Sequence, residues 1–105
     1  AVTKAIAYID ENYMKQPGLE SISKAAGISS QHLCRLFRQT LNCRPMEYIT
    51  KRKIQAAKML LAETQKTVEQ IAEETGFCDS SYFCKIFKRF ESITPSQFRN
   101  AEQVL

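Results

Sequence analysis

Two runs of hydrogen-bond donors suggest where chemistry could occur: Gln31, Arg35 and Arg38, and fifty positions later Ser81, Lys85 and Lys88. Steps of four and three place each run along one face of a helix. Arg or Lys can bond guanine O6 and N7, Gln can bond adenine N6 and N7, and Ser can bond either base. Ser30, His32 and Cys34 flank the first run, and Ser80, Tyr82 and Cys84 flank the second. Farther along, Arg38, Lys88 and Arg89 suit phosphate oxygens, whose neutralisation gives salt-dependent affinity. Either run alone could equally be an ordinary solvated helix face; two runs with the same charge pattern favour the recognition reading.

Other chemistries find little support. His32 is the sole imidazole, has no evident carboxylate partner, and reads as a first-turn surface residue or a minor phosphate or base contact. Without a base and an orienting group, no Ser or Cys is set up as a nucleophile, and neither a Gly-rich phosphate loop nor H-E-x-x-H occurs. The chain therefore reads as a non-enzyme with no catalytic residue and no cofactor. Cys34, Cys43, Cys78 and Cys84 contain no C-x-x-C pair, so neither a metal site nor a disulfide framework is expected. Reduced thiols and a cytoplasmic location follow. Cys34 and Cys84 read as small fillers at the edge of the donor faces or as contacts to a thymine methyl; oxidation sensing would require a depressed thiol pKa. Glu69, Glu73 and Glu74 form an acidic run that is either a solvated face or a protein contact.

Composition sets the frame. With 105 residues, 44% hydrophobic and 25% charged, the chain can bury a core and fills one domain or two very small ones. Three Gly and three Pro are too few for a turn-rich β sandwich. No apolar run approaches the roughly 18–20 residues that span a bilayer, so no membrane role is expected. The net charge of +4 is mild and unevenly spread. Residues 1–44 carry six basic and three acidic side chains, residues 45–66 five and two, and residues 67–105 four and six. Nucleic-acid binding must rest on where these charges sit, not on their sum.

Helical periodicity positions the donors. Val2, Ala5, Ile6, Ile9 and Tyr13 mark a first helix that ends near Gln16-Pro17-Gly18. Leu19, Ile22, Ala25 and Ala26 make a short second helix closed by Gly27, and Ser29 caps a third with the stripe Leu33, Leu36, Phe37 and Thr40/Leu41. Pro45 opens a long fourth helix that runs to about Glu63. Thr67-Val68-Glu69-Gln70 reads as a capping box before a fifth helix closed by Gly76. Asp79 caps a sixth with Phe83, Ile86, Phe87 and Phe90 along one side, and Thr94-Pro95 opens a last short helix. The expected fold is all-α, with seven helices.

The chain also repeats itself. A shift of 50 carries Ser30, Cys34, Arg35, Phe37, Arg38 and Pro45 onto Ser80, Cys84, Lys85, Phe87, Lys88 and Pro95. With a one-residue slip, Ile22 and Gly27 fall on Ile71 and Gly76. Each copy is a short helix, a Gly turn and a longer helix, the helix-turn-helix pattern. The expected organisation is a first subdomain over 1–44, a linker helix over 45–66 and a second subdomain over 67–105. The linker spans roughly 28 Å at 1.5 Å per residue, against about 34 Å between successive major-groove segments on one face of DNA. Because the two donor sets differ, one monomer is expected to read an asymmetric site.

These residues resemble the C-terminal DNA-binding domain of AraC/XylS-type transcription regulators. Val68-x2-Ile71-Ala72-x3-Gly76-Phe77, Tyr82-Phe83-x3-Phe87-Lys88 and Thr94-Pro95-x2-Phe98-Arg99 carry the resemblance, with Pro45-x2-Tyr48-Ile49-x2-Arg52-x3-Ala56-x3-Leu60-Leu61 in the linker. The resemblance implies a homeodomain-like pair of helix-turn-helix subdomains whose third and sixth helices enter adjacent major grooves. By position it implies base contacts from Gln31, Cys34, Arg35, Ser80, Ser81, Tyr82, Cys84 and Lys85, with Ser30, Arg38, Lys88 and Arg89 on phosphates. It also makes RNA polymerase a partner for the Glu69, Glu73 and Glu74 face. Since the chain enters a helical pattern at its first residue, an upstream sensor or effector domain in a bacterial regulator is expected. The family usually has Gly where Asn42 and Ser92 stand; Asn tolerates a left-handed cap better than Ser does. Phe98 replaces a commoner Tyr. Two other readings remain at this stage: a sequence-indifferent architectural DNA binder, which would want a denser basic surface, and a helical protein-interaction domain whose repeat reflects packing alone.

Overall fold

The computed structural model describes residues 1–104, with side chains through residue 102. Helices α1 (Val2–Asn12), α2 (Leu19–Ala26), α3 (Ser30–Leu41), α4 (Pro45–Glu63), α5 (Val68–Glu74), α6 (Ser80–Glu91) and α7 (Pro95–Val104) follow in order, with one 3₁₀ turn at Tyr13–Lys15. No strand occurs among the described residues. The chain divides into two compact units, Ala1–Arg52 and Lys53–Leu105, so the division falls within α4.

In the first unit, Ala5 and Ile9 of α1 meet Ile22 and Ala26 of α2, Leu33 and Phe37 of α3, and Ile49 of α4 in one buried cluster. In the second, Ile54, Ala57 and Leu61 of α4 meet Ile71 and Ala72 of α5, Phe77 of the turn, and Phe83, Ile86 and Phe87 of α6. Units of about 50 residues have little stability to spare. Truncating a fully buried Phe to Ala costs about 3–5 kcal/mol, a large share of what such a unit has.

The repeat persists in the packing. Phe37 meets Tyr48 edge-on, with ring centroids 5.9 Å apart at 74°. Fifty positions later Phe87 meets Phe98 at 5.7 Å and 71°. The start of α4 thus plays in the first unit the part that α7 plays in the second. Arg99 completes the second unit by donating from Nε to the Leu61 carbonyl at 3.1 Å and from Nη2 to the Thr64 carbonyl at 3.3 Å, partnering carbonyls that the end of α4 leaves open.

Two side chains depart from the stripes that periodicity predicts, Ala25 and Phe90, both exposed; of the pair Thr40/Leu41, Leu41 packs against the core and Thr40 is exposed. Phe90 retains 37% of its surface because the last residue of α6 in the buried cluster is Phe87, and the final turn runs past it. Periodicity identifies a face but not how far along a helix its neighbours reach.

Candidate nucleic-acid interface

Each donor helix is held by a turn built from backbone bonds. Gly27 lies at φ 74°, where its N–H reaches Lys24 and Ser23 carbonyls, and Ile28 N–H reaches the Ser23 carbonyl at 3.1 Å. Forty-nine positions on, Gly76 lies at φ 86°, with Gly76 N–H on the Glu73 carbonyl at 3.2 Å and Phe77 N–H on the Ala72 carbonyl at 2.9 Å. Glycine is needed at both because this left-handed backbone crowds a Cβ against its own chain. Ser29 then caps α3 by accepting from His32 N–H at 3.1 Å, and Asp79 caps α6 by accepting from Tyr82 N–H at 2.7 Å. The second turn is one residue longer, the extra residue being the exposed Cys78, which explains the slip in the repeat.

Both donor helices end alike. Asn42 at φ 55° and Ser92 at φ 70° adopt the left-handed cap, donating to the Arg38 carbonyl at 3.1 Å and the Lys88 carbonyl at 2.8 Å. Ser92 therefore keeps the turn that its residue type brought into question, at the expense of backbone strain.

Gln31, Arg35 and Arg38 are exposed on α3, as are Ser81, Tyr82, Lys85, Lys88 and Arg89 on α6. Tyr82 leaves 49% of its surface open and its ring lies 6.2 Å from that of Phe77. Ser30, Cys34, Ser80 and Cys84 are half-buried at the edges of these faces. Ser30 is the more committed to structure, since its hydroxyl is 3.3 Å from that of Ser23 on α2. Cys84 packs against the second core, where burial, and secondarily Glu69, raises its thiol pKa. That is opposite to what oxidation sensing requires. His32 is exposed. Among the described residues, no cluster of His, Cys, Asp and Glu could hold a metal ion, and no helix is long and apolar enough to cross a membrane.

Residues 22–101 match a family model described as a helix-turn-helix domain. The lactose operon transcription activator of Staphylococcus xylosus is 31% identical over 99 residues, covering 94% of this chain and 36% of that protein. A transcriptional regulator from Chromobacterium violaceum, described as an AraC-type DNA-binding-domain protein, superposes with a TM-score of 0.92 at 28% identity, over 96% of this chain and 90% of that one. The chain belongs to the AraC-type helix-turn-helix domains. The same fold recurs, at 21% identity and a TM-score of 0.91, in the DNA-binding domain of AdpA, solved in complex with a target DNA; 98% of this chain and 93% of that one are covered. The chain spans only about a third of the length of the curated relatives it matches, 36% and 28% for the first two.

Two features of this AraC-type domain are invisible to motif reading. Arg44, in the connection between α3 and α4, lines a concavity together with Cys34, Arg35 and Arg38. Its only sequence signal is its place immediately before Pro45, six residues after Arg38. Lys53 reaches the second turn, donating from Nζ to the Gly76 carbonyl at 2.9 Å. On the acidic face, Glu74 pairs with Lys66 at 2.6 Å. Glu69 and Glu73 are exposed on the same helix.

Proposed function

We propose that this DNA-binding domain reads double-stranded DNA sequence-specifically, with α3 and α6 entering adjacent major-groove segments of an asymmetric site. The observation carrying this reading is the matched pair of capped helices whose exposed faces hold Gln31, Arg35 and Arg38 in one unit and Ser81, Lys85 and Lys88 in the other. Gln31, Arg35, Ser81, Tyr82 and Lys85 are the principal base contacts, with Cys34, Ser80 and Cys84 at their margins. Arg38, Lys88 and Arg89 take phosphates, assisted by Ser30. Functionally, 1–44 and 67–105 are the two reading subdomains and 45–66 the linker helix. AdpA, whose DNA-binding domain has the same fold, was solved in complex with a target DNA, which supports DNA as the ligand.

The domain serves a bacterial transcription regulator in the cytoplasm, with a sensor or effector region elsewhere in the protein. The relatives' greater length supports that view. The α5 face of Glu69, Glu73 and Glu74 contacts RNA polymerase. Base reading is tested by Arg35→Ala and Lys85→Ala, each expected to cost about 1–3 kcal/mol of binding and to relax preference in a different half of the site. Loss of affinity with preference intact in both halves would reject the assignment.

A further inference from the structure

We propose that Arg44 joins Arg38 in gripping a DNA backbone phosphodiester at the concavity beside α3, a contact made from outside the recognition helix. The inference rests on the DNA-reading role proposed above and adds a residue and a ligand group to it.

The concavity is lined by Cys34, Arg35, Arg38 and Arg44, with no carboxylate among them. Three other cations are paired: Arg52 with Asp10, Lys58 with Glu91 and Lys66 with Glu74. Among the described residues Arg35, Arg38 and Arg44 form no ion pair. Three arginines lining one hollow with no carboxylate make its surroundings positive, which favours an anion there. A guanidinium fork matches two oxygens of a phosphodiester. Arg44 is well fixed for such a contact, because its backbone N–H donates to Glu47 Oε1 at 3.1 Å and its carbonyl accepts from Tyr48 N–H at 3.0 Å. Glu47 thereby anchors the main chain of Arg44, one of the residues that line the hollow.

The second unit lacks this device. Fifty positions on from Arg44 stands Thr94, an uncharged residue whose hydroxyl accepts from Gln97 N–H at 3.1 Å to cap α7. The repeat therefore diverges where one copy caps a helix and the other offers a cation. The contact is a property of the first unit, and it widens that unit's footprint beyond α3.

The test is the salt dependence of duplex binding by the whole chain, compared for wild type, Arg44→Ala and Arg44→Lys. Arg44→Ala is expected to lower the slope of log affinity against log salt by about 0.9, the value of one phosphate contact. Affinity at low salt should fall about tenfold and equally for preferred and scrambled duplexes. Arg44→Lys keeps the charge but not the fork, so it should retain the slope while losing affinity. An unchanged slope in Arg44→Ala overturns the proposal, as does a loss confined to preferred sequences, which would make Arg44 a base reader. If wild type binds no duplex, the DNA-reading role fails and takes this site with it. A free phosphate ion offers the same oxygens. Replacing chloride with inorganic phosphate at constant ionic strength should leave wild-type affinity within twofold, whereas a stronger phosphate-specific loss that disappears in Arg44→Ala identifies a free-anion site and overturns the DNA assignment.

Discussion

The ammonium of Lys53 donates to the Gly76 carbonyl at 2.9 Å and lies 5.2 Å from the centre of the Phe77 ring. Phe77 in turn packs 5.0 Å from Phe83 and 6.2 Å from Tyr82, ring centre to ring centre, at the start of α6. A side chain on α4 thus braces the turn that aims the second reading helix. Burial lowers the Lys53 pKa, partly offset by Cys78, so the charge is held by its carbonyl and ring partners against a desolvation cost.

Lys53→Met keeps most of the stem and removes the charge. It should destabilise the protein by about 1–2 kcal/mol, because the Gly76 carbonyl loses its donor, and should relax base preference in the half of the site read by α6. Urea unfolding and duplex competition measure the two effects. Unchanged stability with unchanged preference would show that the brace contributes nothing.

Ser92 offers a gain. It holds a left-handed backbone at φ 70°, a conformation that costs a residue with a Cβ about 1 kcal/mol. Ser92→Gly should raise stability by about 0.5–1 kcal/mol, the entropy of Gly in the unfolded chain offsetting part of the relief. The urea midpoint should rise with an unchanged slope. A lower midpoint would mean that the serine side chain contributes more than its backbone costs.

These cases show what a sequence makes legible. Caps and turns are local, so Ser29, Thr67, Asp79 and the glycines at 27 and 76 could be read directly, and Thr67 does form the full capping box with Gln70. The two donor faces were legible because helical spacing alone orients them. Lys53 was not, since its carbonyl lies 23 residues away and only the packing of α4 against the turn joins them. Arg44 was hidden for a related reason: only the folded chain brings it to one concavity with Cys34, Arg35 and Arg38. Phe90 lies on the predicted stripe yet outside the core, because periodicity carries no information about where a buried cluster ends.

Alkaline pH should reveal the buried Cys43 thiol and the half-buried Cys84 thiol. Burial raises the pKa of Cys43 and of Cys84 above the ordinary 9.0. As pH rises past about 9 the unfolded chain loses these protons while the folded protein keeps them, so stability falls. Lys53 acts in the opposite sense, its lowered pKa adding stability as pH approaches 10.5. The Cys43→Ala, Cys84→Ala double variant should therefore lose stability less steeply between pH 8 and 10 than wild type. An equally steep decline would exclude the thiols as its cause.

The acidic face of α5 is testable by charge. Glu74 is paired with Lys66, so Glu69 and Glu73 are the carboxylates to reverse. In the full-length regulator, Glu69→Lys with Glu73→Lys should abolish activated transcription in a reporter assay while duplex affinity stays within about threefold, the added cations acting only through screened long-range charge. Undiminished activation would remove the polymerase contact from the account.

The most direct test of the central claim is selection of preferred sites from random duplexes about 25 bp long, at low salt. Two unlike boxes about one helical turn apart are predicted, one losing definition with Arg35→Ala and the other with Lys85→Ala. Binding without enrichment of any sequence would contradict the claim that two differing helix faces read DNA.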